Sequence, residues 1–244
     1  MTQPISMPWS APVFAKPPHR WQGVRMVAIP FTPRPGAAER ILPPGMERAD
    51  GPGIITLLSY PQTENIHPYK ELVVLLPVRV DGMASNYVPY IYVTTDEALI
   101  AGREIAGFPK KIAQIEWDRV DGRIQGSVVR WGKTIFTVEG TVQGPMPADG
   151  AARTPAAGAP TFNYKLIPDP AGDIEIEEIT KTQLDVVPHE QEIGQAKLHC
   201  GPSDLDPLAD LVPDTEGPMM VMTCDATIPA GEVLKRISRK ELVA

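Results

Sequence analysis

The sequence predicts a β-rich α+β domain with few helices, whose antiparallel sheet closes into a barrel. Three observations lead to this fold class. Short segments of apolar or alternating residues, separated by turn residues, recur along most of the chain. Proline and glycine occupy 28 and 20 of the 244 positions, which excludes a helical bundle or coiled coil. Hydrophobic residues make up 43% of the chain, enough apolar surface for a folded core.

The first half of the chain is predicted to consist mainly of strands. Residues 1–20 are punctuated by proline and are expected to form an extended arm. The apolar run at 72–76 is typical of a strand buried on both faces, and Pro77 indicates a bulge or bend in it. The strands expected in this half cover residues 24–31, 54–60, 71–80 and 87–94.

One helix is predicted between these strands and the next group. It begins at Thr94 or Thr95, whose hydroxyl can cap the free backbone N–H groups. Gly107 suits the left-handed residue that ends many helices, and Pro109 prevents continuation. Lys110 is therefore expected to follow the helix directly, in extended backbone.

The second half is predicted to contain a meander, a loop, further strands and two helices. Residues 144–160 are small residues and prolines without periodicity, and are expected to form a long surface loop. A short helix is expected at 206–211 and an amphipathic helix at 229–243. The strands expected here cover 112–119, 123–130, 134–142, 162–167, 174–187 and 219–226. With no internal repeat, residues 1–244 are interpreted as a single domain.

Charge and targeting features restrict the partners. The formal net charge is −7 and no basic stripe is present, so a nucleic acid partner is not expected. The sequence lacks both a signal-peptide pattern and an apolar stretch of membrane-spanning length, so a cytoplasmic location without membrane contact is expected. Cys200 and Cys224 lie in no ligand-like spacing and are expected to be reduced core thiols.

Several common catalytic motifs are absent from the sequence. The four histidines are scattered and none belongs to an HExxH motif, so a metal site is not expected. The chain has no GxSxG elbow, no GxxxxGK[ST] loop and no GxGxxG loop. No cofactor is therefore expected.

The dilysine that follows the predicted helix allows two interpretations. It is a solvated charge pair at the negative end of the helix dipole, or Lys110 is a nucleophile. A lysine amine attacks a carbonyl only when it is unprotonated, which requires a pKa below the usual value of about 10.4. Phe108 and Pro109 supply apolar surface for this, and Lys111 supplies a nearby cation.

The segment GREIAGFPKK at residues 102–111 resembles the specific GREIxGxPKK signature of the acetoacetate decarboxylase family. Acetoacetate decarboxylase is itself the standard example of an activated lysine. The resemblance extends over nearly the whole chain, including NYKLIP at 163–168, and implies a cone-like β-barrel. It implies that Lys110 forms the Schiff base and that Lys111 is the neighbour that modulates its pKa. It also implies Glu71 as a catalytic carboxylate and Arg25, in GVRMV, as a contact to the substrate carboxylate.

The sequence departs from this family at one position. Counted back from Glu71 without a gap, the place of the family's second glutamate falls on Thr56. A hydroxyl in place of a carboxylate changes the field around an imine, and with it the favoured substrate and step. We therefore expect similarity to the superfamily members that resemble pyruvate aldolase-dehydratases.

The residues leave three functional hypotheses open. The first is a lysine-imine lyase of the pyruvate aldolase, dehydratase or hydratase type, acting on a small keto acid, with an aldehyde as co-substrate in the aldolase reaction. The second is acetoacetate decarboxylation, and the third is a non-catalytic barrel that binds a small acid. Glu71 is the first candidate for the acid/base group, followed by Tyr60 and Tyr69, which alternatively serve only in packing. Thr56 and Phe108 are expected to line the substrate site, and the proline-rich arm and the apolar face of the predicted C-terminal helix predict a homo-oligomer.

Overall fold

The computed structural model describes residues 5–147 and 159–237. The first residues of the predicted arm, most of the predicted loop at 144–160 and the end of the predicted C-terminal helix lie outside these ranges. The β-rich α+β class is confirmed. Strands form most of the described chain, and they are β1 His19–Phe31, β2 Glu47–Arg48, β3 Gly53–Tyr60, β4 Gln62–Thr63, β5 Tyr69–Val80, β6 Met83–Val93, β7 Lys110–Ile112, β8 Gln114–Val120, β9 Arg123–Arg130, β10 Lys133–Pro145, β11 Pro160–Pro168, β12 Ile174–Gln183, β13 Asp185–His199, β14 Thr215–Ile228 and β15 Glu232–Arg236.

The helices are short. They are α1 Ala37–Arg40, α2 Asp96–Ala101 and α3 Leu208–Leu211, and α2 continues directly into a π-helical turn, Gly102–Ala106. No helix among residues 5–147 and 159–237 has the length and hydrophobicity that a membrane crossing requires. Both cysteines are buried and unpaired.

The strands form one mixed sheet. Its main path runs β15, β12, β11, β6, β5, β3, β1, β14, β13, β10, β9, β8. Most neighbours are antiparallel, but β6 pairs in parallel with β7 and β11. The parallel pairing with β7 arises because α2 and the π-helical turn form a crossover between the two strands. Closure into a barrel was a wrong expectation, since within the described residues the path is open between β15 and β8.

The central strands β1, β3 and β5 are buried on both faces. All of β3 is buried, and its side chains alternate between two apolar clusters. Leu57 packs with Leu72 on one face, and Leu58 packs in the second cluster on the opposite face. Glu71 lies directly opposite Leu58 in the register of β3 and β5. This second face is the one that carries the candidate site.

The predicted central helix is confirmed, with two additions. Thr95 occupies the N-cap position, but its side chain makes no capping hydrogen bond. The last turn is π-helical, which the apolar pattern did not indicate. Gly107 follows it in the left-handed conformation with φ of 76°, as the sequence predicted.

Two other expectations require correction. The strand expected at 174–187 is two strands, β12 and β13, and β13 continues to His199. The amphipathic helix expected at 229–243 is wrong for the described part, which forms strand β15. Pairing with β12 satisfies the backbone there, and Leu234 and Ile237 pack against the buried Ile179. Strand pairing at the edge of the sheet thus determines the structure of this segment, although its apolar spacing is typical of a helix.

Candidate active site

The site centres on an ion pair between Lys110 and Glu71. Lys110 Nζ lies 2.9 Å from Glu71 Oε2, and only 9% and 8% of the two side chains are exposed. Glu71 belongs to β5, and Lys110 begins β7 in register with Ile91 of β6. The two residues therefore meet across β6, which pairs with both of their strands. A buried pair of this kind holds an amine and a proton acceptor at hydrogen-bond distance.

Two glycines of the signature make room for this arrangement. A Cβ atom on Gly102 would lie 2.6 Å from Cδ of Lys110, so the π-helical turn packs directly on the lysine side chain. A Cβ atom on Gly107 would lie 2.6 Å from Cβ of Lys165 on β11, in addition to the strain of its positive φ. These contacts explain why the signature requires glycine at both positions.

The pair opens into a cavity of about 210 Å³. This volume far exceeds the roughly 10–15 Å³ that one water occupies, yet falls short of the roughly 300–1,000 Å³ of sites for drug-sized ligands. Its walls are mostly apolar, and Lys110 Nζ lies 5.6 Å and 5.7 Å from the ring centroids of Tyr69 and Phe108. The cavity suits a small organic molecule.

Tyr60 and Tyr69 form an aromatic wall beside Glu71. Their rings stack with centroids 4.4 Å apart, and the Tyr60 hydroxyl donates to Glu71 Oε1 at 3.4 Å. Burial, followed by the charge of Glu71, raises the pKa of both phenols well above the ordinary value. Both tyrosines are therefore protonated at neutral pH and can donate hydrogen bonds.

Thr56 also lines the cavity. It lies on β3, opposite Val73 of β5, and both side chains reach the same cavity. Thr56 is buried, and its hydroxyl has no hydrogen-bond partner among the residues that the structure describes. The position that the resemblance assigned to a second glutamate thus faces Lys110's cavity and carries a neutral group.

Lys111 lies outside the cavity. Its amine donates to Asp206 Oδ1 at 2.8 Å and to the Leu205 carbonyl at 2.7 Å. Asp206 is fully buried and also accepts from Arg130 Nε at 2.8 Å. Adjacent residues of a strand point to opposite faces, so the structure does not bring Lys111 to Lys110. The expected influence of Lys111 on the pKa of Lys110 has no support in this geometry.

Arg25 is the second expected site residue that the structure does not place there. Its guanidinium pairs with Asp118 at 3.1 Å and lies 5.3 Å above the ring of Trp117. Arg25 is not among the residues that line the cavity, whereas its neighbour Met26 is. A register irregularity between Trp21 and Val24 sets which side chains of β1 face inward. The expected contact between Arg25 and a substrate carboxylate is therefore not supported by this geometry.

Sequence reasoning missed several polar residues of the cavity, of which His19, Trp21 and Glu178 are buried at less than 9% exposure. His19 and Trp21 reach it from the start of β1, and Glu178 reaches it from β12. Glu178 is buried and pairs with Arg236 of β15 at 3.3 Å. A signal for Glu178 exists, because it interrupts the alternation of isoleucine and glutamate at 174–177. His19 and Trp21 lie in the proline-rich start of the chain, and no pattern singles them out.

Comparisons with known proteins identify relatives over almost the whole chain. The model of the family described as acetoacetate decarboxylase (ADC) matches residues 2–238. A protein of Acidiphilium cryptum named acetoacetate decarboxylase is 28% identical over 235 residues, 94% of each chain. The crystal structure of acetoacetate decarboxylase from Legionella pneumophila has a TM-score of 0.86 at 24% identity and covers 95% of this chain and 94% of its own. The enduracididine biosynthesis enzyme MppR, in complex with pyruvate, has a TM-score of 0.81 at 20% identity and covers 96% of this chain and 98% of its own.

Proposed function

Because the chain belongs to the acetoacetate decarboxylase family, whose members are decarboxylases or related lyases, we propose that it forms a Schiff base between Lys110 and a small keto acid. The observation that carries this proposal is the buried pair of Lys110 and Glu71 in an apolar cavity of small-molecule size. An amine with an acceptor 2.9 Å away has a group that can take its proton.

The imine step uses groups already in place. The amine nitrogen adds to the carbonyl carbon of the keto acid, and Glu71 takes the proton that the nitrogen loses. Glu71 passes this proton to the carbinolamine oxygen, together with the proton that Lys110 lost on becoming a free amine, and the oxygen leaves as water. Glu71 is then ionised again, and the Tyr60 hydroxyl donates a hydrogen bond to it at 3.4 Å. The product is a protonated imine, which withdraws electrons from the adjacent carbon.

We propose pyruvate aldolase-dehydratase chemistry as the reaction that follows. Glu71 removes a proton from the methyl group beside the imine carbon, which gives an enamine. The enamine carbon bonds to the carbonyl carbon of an aldehyde, whose oxygen takes the proton held by Glu71 and becomes a hydroxyl. Glu71 then removes a second proton from the former methyl carbon, and the hydroxyl leaves as water as the carbon–carbon double bond forms. Hydrolysis of the imine then returns Lys110 and releases an unsaturated keto acid. Thr56 supports this choice, because a neutral hydroxyl adds no second negative charge beside the enamine or the incoming aldehyde.

Acetoacetate decarboxylation is the second candidate, favoured by the names of the relatives. In that reaction the bond between the carboxylate and the adjacent carbon breaks, its electrons pass into the imine, and carbon dioxide leaves. Protonation of the enamine and hydrolysis then give acetone. The same Lys110 serves both reactions, so the product identifies which one occurs.

The test compares two substrate sets under the same conditions. The protein is supplied with acetoacetate alone, or with pyruvate plus an aldehyde, and carbon dioxide and condensation products are measured. Lys110→Ala is the control. We expect a condensation product from pyruvate and aldehyde that Lys110→Ala does not form. Carbon dioxide from acetoacetate, without condensation, would favour the decarboxylase, and no turnover in either set would favour the non-catalytic binding protein.

A further inference from the structure

We propose that His19 and Trp21 bind the carboxylate of the keto acid whose carbonyl carbon is attached to Lys110. This inference rests on the proposed function and names the carboxylate contact of the same site. His19 and Trp21 take the place of Arg25 in this role. The family resemblance assigned the carboxylate contact to Arg25, but Arg25 lies outside the cavity.

The first observation is that both side chains are buried in the cavity without partners. His19 is 8% exposed and Trp21 is 5% exposed, and both line the cavity. Neither imidazole nitrogen of His19 nor Nε1 of Trp21 has a hydrogen-bond partner among the residues that the structure describes. Buried polar groups are nearly always hydrogen-bonded, because leaving one unsatisfied costs free energy. Two such side chains in one cavity indicate a ligand that supplies their partner.

The second observation concerns their position relative to the reactive pair. The rings of His19 and Trp21 have centroids 6.3 Å apart, and the Trp21 ring lies 5.2 Å from that of Tyr60. Tyr60 in turn donates to Glu71, the partner of Lys110. The charge of Lys110 also reaches His19, whose pKa is lowered first by desolvation and then by that charge. His19 is thus within electrostatic range of the amine, and Trp21 lies between His19 and Tyr60.

The third observation is that few other side chains of the cavity can bind an anion. The titratable side chains that line the cavity are His19, Tyr60, Tyr69, Glu71, Lys110, Lys165, Glu178 and Glu232. Lys110 is the group that forms the imine, and the Lys165 amine lies 3.3 Å from the Ile105 carbonyl that accepts its hydrogen bond. No arginine lines the cavity among the described residues. Among the described residues, the Thr56 hydroxyl is the other buried unpartnered polar group of the cavity wall, so His19 and Trp21 supply the unpartnered N–H donors for a carboxylate.

The chemistry of the two donors fits an acceptor-only group. The indole of Trp21 has one N–H and no acceptor, and a neutral imidazole has one N–H. A carboxylate accepts both, and its charge favours protonation of His19, which then adds a charge-assisted hydrogen bond. A carboxylate directly bonded to the imine carbon, as in pyruvate, would lie close to the attached Lys110 nitrogen.

The test compares pyruvate with acetone, which carries a methyl group in place of the carboxylate. Borohydride reduction traps the imine, and the ketone concentration that gives half-maximal adduct is measured for each. The variants are Trp21→Phe, which removes the N–H and part of the ring system, and His19→Phe and His19→Gln. The comparison with acetone separates the loss of the donor from the loss of ring volume. Trp131→Phe and His199→Gln, at exposed sites away from the cavity, are the matched controls. A thermal unfolding transition verifies that each variant is folded.

We expect Trp21→Phe and His19→Phe to raise the half-maximal pyruvate concentration at least about tenfold, the value of one hydrogen bond to a charged group, and to leave acetone unchanged. His19→Gln, which keeps a donor, should recover part of the loss. An equal rise in the half-maximal concentrations of pyruvate and acetone would overturn the inference. It would also be overturned if Arg25→Gln lost the preference for pyruvate over acetone while the His19 and Trp21 variants kept it.

A second measurement works even if no imine forms. The imidazole signal of His19, assigned by its absence in His19→Gln, is titrated with pH by NMR. We expect its midpoint to rise in pyruvate but not in acetone, because the carboxylate stabilises the imidazolium. A midpoint that pyruvate does not move would overturn the inference. Failure of the wild-type protein to give any adduct, with this midpoint still rising, would instead overturn the proposed Schiff base alone.

Discussion

Lys110 and Glu71 lie on strands that do not pair with each other, yet their side chains meet at 2.9 Å across β6. Glu71 has a second contact, the Tyr60 hydroxyl at its other oxygen. One buried carboxylate therefore connects the amine to a phenol that is protonated at neutral pH. The amine, the carboxylate and the phenol thus form one connected group of hydrogen-bonded side chains.

Replacing Glu71 tests its role as the acid/base group. Glu71→Gln keeps the shape of the side chain but cannot take a proton, so we expect kcat to fall by about 10²–10⁴-fold. Steady-state kinetics on the active substrate set measure this. Glu116→Gln, which alters an exposed carboxylate paired with Lys70, is the control and should retain activity. Equal activity in the two variants would contradict a catalytic role for Glu71.

Filling the space at Gly102 tests the packing of Lys110. A Cβ atom there would lie 2.6 Å from Lys110 Cδ, so Gly102→Ala should displace the lysine from Glu71. We expect imine trapping to fall at least about tenfold, since reactions are sensitive to about 1 Å of misplacement. Gly217→Ala is the matched control, because no atom lies within 4 Å of its Cβ position. An amount of trapped imine in Gly102→Ala equal to that of the wild-type protein would contradict the expected displacement of Lys110 from Glu71.

The burial of His19 predicts a pH dependence of stability. Its pKa is lowered from 6.5 by desolvation and then by the charge of Lys110. The unfolded chain therefore binds the proton more readily below pH 6.5, so stability should fall as the pH falls from 6.5 through the lowered pKa. Urea unfolding between about pH 4 and about pH 8 measures the free energy of unfolding of the wild-type protein and of His19→Phe. The quantity compared is how this free energy changes with pH. Parallel pH profiles for the two proteins would contradict this account.

The contacts of Lys111 predict a structural effect of its removal. Lys111 and Arg130 both donate to the buried Asp206, so Lys111→Met leaves that carboxylate with one cation fewer. We expect a loss of about 1–3 kcal/mol in the free energy of unfolding, the cost of an unsatisfied buried group. The acid limb of the pH–rate profile should not move, because the amine points away from the cavity. A displaced acid limb with unchanged stability would instead support the neighbour effect expected from the sequence.

Much of the cavity wall could be predicted from the sequence because strand alternation and the signature both constrain it. Residues Thr56, Tyr60, Tyr69, Glu71, Phe108 and Lys110 do line one cavity. Their roles stay predictions, but their proximity follows from the adjacent strands β3 and β5, from β7 on the other side of β6, and from the end of one helix. The sequence also indicated why one signature position is glycine, because Gly107 suits the left-handed residue at the end of the helix. The contact of Gly102 with Lys110 is visible only in the structure.

The errors have physical causes that a sequence does not display. The register irregularity between Trp21 and Val24 sets which side chains of β1 face inward, so Trp21 lines the cavity while Arg25 does not. The segment 229–237 is amphipathic as a helix, but a free edge of the sheet at β12 was not visible, and pairing there formed β15. Contacts between distant strands also explain why His19 and Glu178 were missed.

The central claim is that Lys110 forms an imine with a small keto acid, and borohydride trapping followed by intact-mass analysis tests it most directly. The account predicts a single reduced adduct after incubation with pyruvate or acetoacetate, located by peptide mapping on Lys110 and absent in Lys110→Ala. Lys111→Met should still give the adduct. No adduct with either keto acid, or an adduct that persists in Lys110→Ala, would contradict the claim.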